Sequence, residues 1–128
     1  MIKKGIHTEK APKAIGPYQQ GIRLGDLIFT SGQIALDPVT GNFLAGEIEQ
    51  ETELTLKNIS AILEAEGLTM EHVIKATVYL SDMNDFARMN QVYEQCFATS
   101  KPARACVQVA ALPKGAKVEI DVIAAAHG

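Results

Sequence analysis

Lys101-Pro102-Ala103-Arg104-Ala105-Cys106-Val107-Gln108-Val109, followed beyond Pro113-Lys114-Gly115 by Lys117-Val118-Glu119-Ile120-Asp121-Val122-Ile123, decides how the chain is read. Both arms alternate with the period of two that marks a strand, and the Pro/Gly segment between them reads as a turn. The simplest arrangement is a hairpin. Arg104 and Glu119 then sit opposite or diagonal to each other and project to one side. Such a pair is either a cross-strand salt bridge or the two poles of a small-molecule site. A guanidinium fits a planar carboxylate, and a carboxylate can position or deprotonate a water. Three features favour the site: Pro102-Ala103 is a rigid, slim approach, Cys106 is a small residue on the face of Arg104, and no acid neighbours Arg104 locally.

The rest of the chain frames this unit. Ala11 to Pro17 is an irregular segment held open by prolines and glycine. Tyr18 to Leu24 reads as a strand, Gly25-Asp26 as a tight turn, and Leu27 to Ser31 as the partner strand. Asp37 to Asn42 is a loop by composition. Ile48 to Glu66 is a helix, with Leu56, Ile59 and Leu63 at helical spacing and Gly67 where a C-terminal cap belongs. Val73 to Leu80 is a strand. Ser81 or Asp82 caps a second helix that carries Phe86, Met89, Tyr93 and Phe97. The order strand, strand, helix, strand, helix, strand, strand predicts an α+β layer, with both helices on one face of a mixed or antiparallel sheet. The second face then needs a cover, since the C-terminal strands turn apolar on both sides, and a further copy of the chain supplies it most simply.

Composition narrows the function classes. The 128 residues, 47% apolar and 21% charged, suit one domain over 1–128, and no apolar run is long enough to span a bilayer. The formal charge of −3 gives no support to a nucleic-acid partner. Without a secretory pattern at the N-terminus, the expected location is cytoplasmic. Cys96 and Cys106 offer no disulfide framework. His7, His72 and His127 share no ligand spacing, so no metal is expected. There is no Gly-rich phosphate loop, dinucleotide fingerprint or serine elbow. Ser31-Gly32 ends a strand with a hydroxyl and an unencumbered amide that suit a polar ligand, or merely a turn. Tyr18 either lines the same place or packs on the sheet edge.

Ala14-Ile15-Gly16-Pro17-Tyr18, Thr30-Ser31-Gly32-Gln33, Asp85-Phe86 with Asn90 and Tyr93, Pro102-Ala103-Arg104, Cys106-Val107, Leu112-Pro113-Lys114 and Val118-Glu119-Ile120 together resemble the Rid/YjgF family, in its RidA branch. The resemblance spans nearly the whole chain in order. It implies a chorismate-mutase-like subunit, a homotrimer with sites between subunits, and 2-iminobutanoate/2-iminopropanoate deaminase activity without metal or organic cofactor. Substrates would be the enamines and imines released by pyridoxal-phosphate dehydratases, and the products 2-keto acids and ammonia. By the same resemblance Arg104 grips the substrate carboxylate and Glu119 orients the attacking water. The backbone at Cys106 helps to place that water, and Tyr18, Ser31, Gly32 and Asn90 line the cleft. Ala35, Ala105, Gln108 and Ala111 depart from the usual family residues. A carboxylate-binding regulatory module without turnover is the alternative; ribonuclease action and inhibition of translation, also attached to this family, are less favoured.

Overall fold

Val118, Ile120, Val122 and Ala124 alternate along the last strand and are all buried, and the architecture grows from that row. A computed structural model describes residues 2–127. Its elements are β1 (Lys3–Ile6), β2 (Gly21–Leu24), β3 (Leu27–Thr30), α1 (Ile48–Glu64), β4 (Val73–Leu80), α2 (Phe86–Phe97), β5 (Ala103–Gln108) and β6 (Val118–Ala125). The six strands form one sheet in the order β1-β2-β3-β6-β4-β5. Every pairing is antiparallel except β4 with β5, which are parallel neighbours joined through α2. A parallel pair needs such a crossover, because a short turn cannot return the chain to the starting end.

The α+β class and the mostly antiparallel mixed sheet are as the sequence implies; the C-terminal hairpin is not. β4 lies between β5 and β6, so the two arms never pair. Alternation identifies a strand but not its neighbour, and the segment from Val109 to Lys117 is long enough to pass over one strand. β4 provides the better partner for each arm. Its Ala76, Val78 and Leu80 extend the buried row of β6, and its Thr77 and Tyr79 continue the opposite face. β1 is an additional strand: Lys3-Lys4-Gly5-Ile6 carries no alternation, and only Ile6 is buried. β2 begins at Gly21 rather than Tyr18, because Gln20 is used otherwise. Its side chain is 2% exposed, accepts the Thr8 N–H at 2.7 Å and donates to the Thr8 and Pro12 carbonyls at 3.0 and 2.8 Å. A buried amide with these partners ties the 8–18 segment to the sheet.

Both helices cover one face. Leu56, Ile59 and Leu63 of α1 and Met89, Tyr93 and Phe97 of α2 join the β4 and β6 rows in the core. α1 stops two residues before the expected Glu66, where Leu68 N–H reaches back to the Leu63 carbonyl and Gly67 adopts φ 76°. Asp82 caps a short turn, Met83–Asp85, that leads into α2. Gln108, one of the departures from the family pattern, accepts the Met83 N–H at 2.7 Å and so fastens β5 to that turn.

Among the described residues no helix lies over the other face of the sheet. Leu27, Phe29, Ile123, Thr77, Tyr79, Ala105 and Val107 lie there, with Phe29 38% and Val107 44% exposed. Among the described residues no helix is long and apolar enough to cross a membrane.

Candidate functional site

Arg104 sits beside Ala76 in the β4–β5 register, which turns its side chain towards the helices. The guanidinium carbon lies 4.7 Å from the centre of the Tyr93 ring and 5.4 Å from that of Phe86. A cation over aromatic faces is held in orientation without being neutralised. Arg104 Nη1 donates to Asn90 Oδ1 at 2.5 Å, and Asn90 Nδ2 donates in turn to Glu94 Oε1 at 3.0 Å. Among the described residues no carboxylate pairs with Arg104 directly. Beside it opens a hollow of about 730 Å³, lined by Asn90, Tyr93, Glu94, Phe97 and Lys101. Among the described residues, most of the five donors on the fork have no protein partner and face the hollow or solvent. Glu94 acts one amide removed, through Asn90.

Cys106, beside Val78, shares the face of Arg104 and is half-buried. Burial pushes its thiol above the usual range, and the pull of Arg104 opposes this only in part. A thiol held protonated is a poor nucleophile.

Glu119 occupies the other half. It lies opposite Tyr79, on the sheet face away from the helices. β3 parts from β6 after Phe29–Ile123 and rejoins it at Gln33–Ile120, so Thr30, Ser31 and Gly32 bulge against Asp121 and Val122. Thr30 Oγ1 accepts the Val122 N–H at 3.0 Å, and the Ser31 hydroxyl donates to the Gln19 carbonyl at 2.5 Å. Ser31 thus fixes the bulge with its proton and does not line the hollow. Gly32 does. A hollow of about 330 Å³ is bounded there by Tyr18, Gly32, Gln33, Lys13, Lys114 and Glu119. Tyr18 is half-exposed, and its hydroxyl accepts the Ile15 N–H at 3.4 Å across a turn in which Gly16 adopts φ 119°.

Burial first, and the nearby Asp121 carboxylate second, raise the proton affinity of Glu119 above the ordinary carboxylate range. A carboxylate so tuned is a stronger base towards water than an exposed one. Asp121 was not singled out by the sequence reading, although it repeats the alternation of Glu119 two residues on. Tyr79 Oη donates to its Oδ2 at 3.1 Å.

Gly32 is needed for contact rather than for backbone freedom. Its φ is not positive, yet a Cβ there would lie 2.9 Å from Glu119 Cδ and closer still to the carboxylate oxygen. Gly32→Ala is therefore expected to leave the fold intact, with a melting point within a few degrees of wild type, while displacing the carboxylate. A misplacement of about 1 Å costs on the order of 100-fold in turnover. Turnover measured beside thermal melting separates the two effects.

The structure does not bring Arg104 and Glu119 together in one chain. They are separated by β4, stand three residues apart along it, and project to opposite faces. Two strand spacings and three residue rises place their backbones about 14 Å apart. Arg104, Asn90 and Cys106 make one cluster. Tyr18, Gly32 and Glu119, with Ser31 behind them, make the other.

Similarity to known proteins follows the same residues. The family model described as Endoribonuclease L-PSP matches residues 8–126. A RutC family protein of Pyrococcus abyssi is 52% identical over 124 residues, 97% of this chain and 98% of that protein. The Bos taurus protein named 2-iminobutanoate/2-iminopropanoate deaminase is 49% identical over 124 residues, covering 97% of this chain and 90% of its own. The crystal structure of Escherichia coli TdcF with bound serine superposes with a TM-score of 0.89 at 49% identity, covering 95% of this chain and 98% of that one. With the match running through both clusters and the sheet between them, the chain belongs to the Rid/YjgF family, the one described as Endoribonuclease L-PSP.

Proposed function

We propose that the protein hydrolyses short 2-imino acids, such as 2-iminopropanoate and 2-iminobutanoate, to 2-keto acids and ammonia, in sites shared between copies of the chain. Water adds to the imine carbon, the C–N bond breaks, and protons from water pass to the departing nitrogen. Arg104 anchors the substrate carboxylate, and Asn90 and the aromatic rings keep its fork aimed. Glu119 orients the water, in a hollow that Tyr18 and Gly32 shape. No covalent intermediate is required, because a protonated imine is already electrophilic and positioning supplies much of the acceleration.

The observation that carries this reading is the separation of two complementary poles. In a 2-imino acid the carboxylate is bonded directly to the reacting carbon. Anchor and water-holder must then lie within roughly 8 Å, two hydrogen-bond lengths and a bond or two. One chain holds their backbones about 14 Å apart and sends the two side chains to opposite faces of the sheet, so the groups themselves cannot converge. A neighbouring copy seated on the open apolar face would bring the Glu119 half of one subunit to the Arg104 half of the next. The contact joins unlike surfaces, which gives a ring where the rotation closes and a filament where it does not; the family resemblance implies the closed case, a homotrimer. The bound serine of the TdcF structure is of the same size and bears the same carboxylate as the proposed substrate.

The test is a coupled assay. A pyridoxal-phosphate threonine dehydratase supplies 2-iminobutanoate, and keto-acid release is followed with and without this protein. Faster release, lost in Glu119→Gln, is the expected result. Thermal stabilisation by 2-ketobutanoate without any acceleration would replace the proposal with a binding module.

The description of the matching family carries a second reading, RNA cleavage. Neither hollow is lined by a histidine, and the acidic pair at Glu119 and Asp121 repels phosphate. Cleavage that persists unchanged in Glu119→Gln would belong to a contaminant.

A further inference from the structure

We infer that Asp121, held by Tyr79, is a positioning residue that sets the proton affinity of Glu119. The inference rests on the reading of Glu119 as the acid that orients water, and it adds a group to which that reading assigns no role. Glu119 and Asp121 are two residues apart on β6 and therefore stand side by side on one face of the sheet. Both are half-buried. On β4, Tyr79 faces Glu119 in register yet extends its hydroxyl diagonally, to Asp121 Oδ2 at 3.1 Å. The tyrosine thus gives its one proton to the carboxylate that performs no chemistry and withholds it from the one that does.

The consequence is electrostatic. Burial raises the proton affinity of Asp121, the hydrogen bond from Tyr79 opposes that rise, and the Asp121 carboxylate so held makes the charged form of Glu119 harder to reach. The remaining ionisable groups near this pair do not reverse the effect. Lys13, Tyr18 and Lys114 line the hollow in front of Glu119. Lys117, two residues before it, is turned away to the Gly46 carbonyl and the buried Glu51 carboxylate. Thr77, opposite Asp121, carries no charge. Lys75, opposite Ile123, is the one β4 cation on this face, and among the described residues it forms no ion pair. A base of raised proton affinity removes a proton from water more readily, and the loss of function on acidification then begins at higher pH.

The experiment follows the Glu119 carboxyl by carbon-13 NMR titration in wild type, Asp121→Asn and Tyr79→Phe, beside the pH dependence of kcat/KM in the coupled assay. Asp121→Asn is expected to move the Glu119 midpoint and the acid limb of kcat/KM to lower pH together. The fraction of plateau activity kept on the acid side should rise several-fold. Tyr79→Phe is expected to shift both in the same direction by less, because an Asp121 without its donor keeps its proton longer. A merely structural role would lower activity without moving either midpoint. An unmoved Glu119 midpoint in Asp121→Asn overturns the inference while imine hydrolysis stands. A midpoint that moves in Asp121→Asn, with a wild-type protein that hydrolyses no imine, overturns the catalytic reading and leaves the electrostatic link. Should Asp121→Asn fail to fold, Tyr79→Phe carries the same comparison by itself.

Discussion

Arg104→Ala is expected to lower kcat/KM for 2-iminobutanoate by roughly 100- to 1000-fold while the assembled protein survives. Removing one partner from a charge-assisted pair of hydrogen bonds to a carboxylate in a secluded site costs about 3–4 kcal/mol, and each 1.4 kcal/mol is about a decade in rate. The loss to the fold is far smaller. Arg104 is an exposed residue on the edge strand β5, its one polar partner among the described residues is Asn90, and its stack on Tyr93 and Phe86 contributes about 1 kcal/mol. Arg104→Lys is expected to recover only part of the activity, since an ammonium keeps the charge but lacks the fork. The measurement is coupled keto-acid release beside size-exclusion chromatography. An Arg104→Ala protein of wild-type activity would remove the anchor and with it the proposed reaction.

The fold was legible where the chain solves a local problem and illegible where it solves a pairing problem. Alternation along Val118 to Ile123 announced β6, and the spacing of Leu56, Ile59 and Leu63 announced α1, because both signals come from one buried face. The insertion of β4 between β5 and β6 left no such mark, since Val78 packs equally well beside Cys106 or Ile120 and lies beside both. β1 was silent because a short edge strand with two lysines buries only Ile6.

The candidate site divided along the same line. Arg104 and Glu119 stood out as charges within strands, and Cys106 was rightly placed on the face of Arg104. Their separation could not be read, because the side to which each points follows from register with β4. By its sequence Gln20 belongs to a strand, yet its amide anchors the loop that presents Tyr18. Asp121 was visible in the alternation, yet only the reach of Tyr79 gives it a role.

Mixing two inactive variants is expected to restore activity. Let Arg104→Ala and Glu119→Gln proteins be dissociated together at equal concentration and allowed to reassociate. In a ring where each site takes its arginine from one copy and its glutamate from the next, a site is intact when the first copy is Glu119→Gln and the second Arg104→Ala. Random assembly gives about one site in four. Were both residues supplied by the same chain, no mixed site would be intact. The converse mixture is as informative. Equal parts of wild type and the Arg104→Ala, Glu119→Gln double variant leave about one quarter of shared sites intact, against about one half if each chain carried its own. Native mass spectrometry establishes that mixed rings have formed, and the coupled assay counts their working sites. Mixed rings of the two single variants with no more activity than their parents would refute the shared site. One chain, with the two backbones about 14 Å apart, would then have to turn a side chain through its own sheet to meet a small acid at both ends, a rearrangement that the close-packed rows of β4 and β6 forbid.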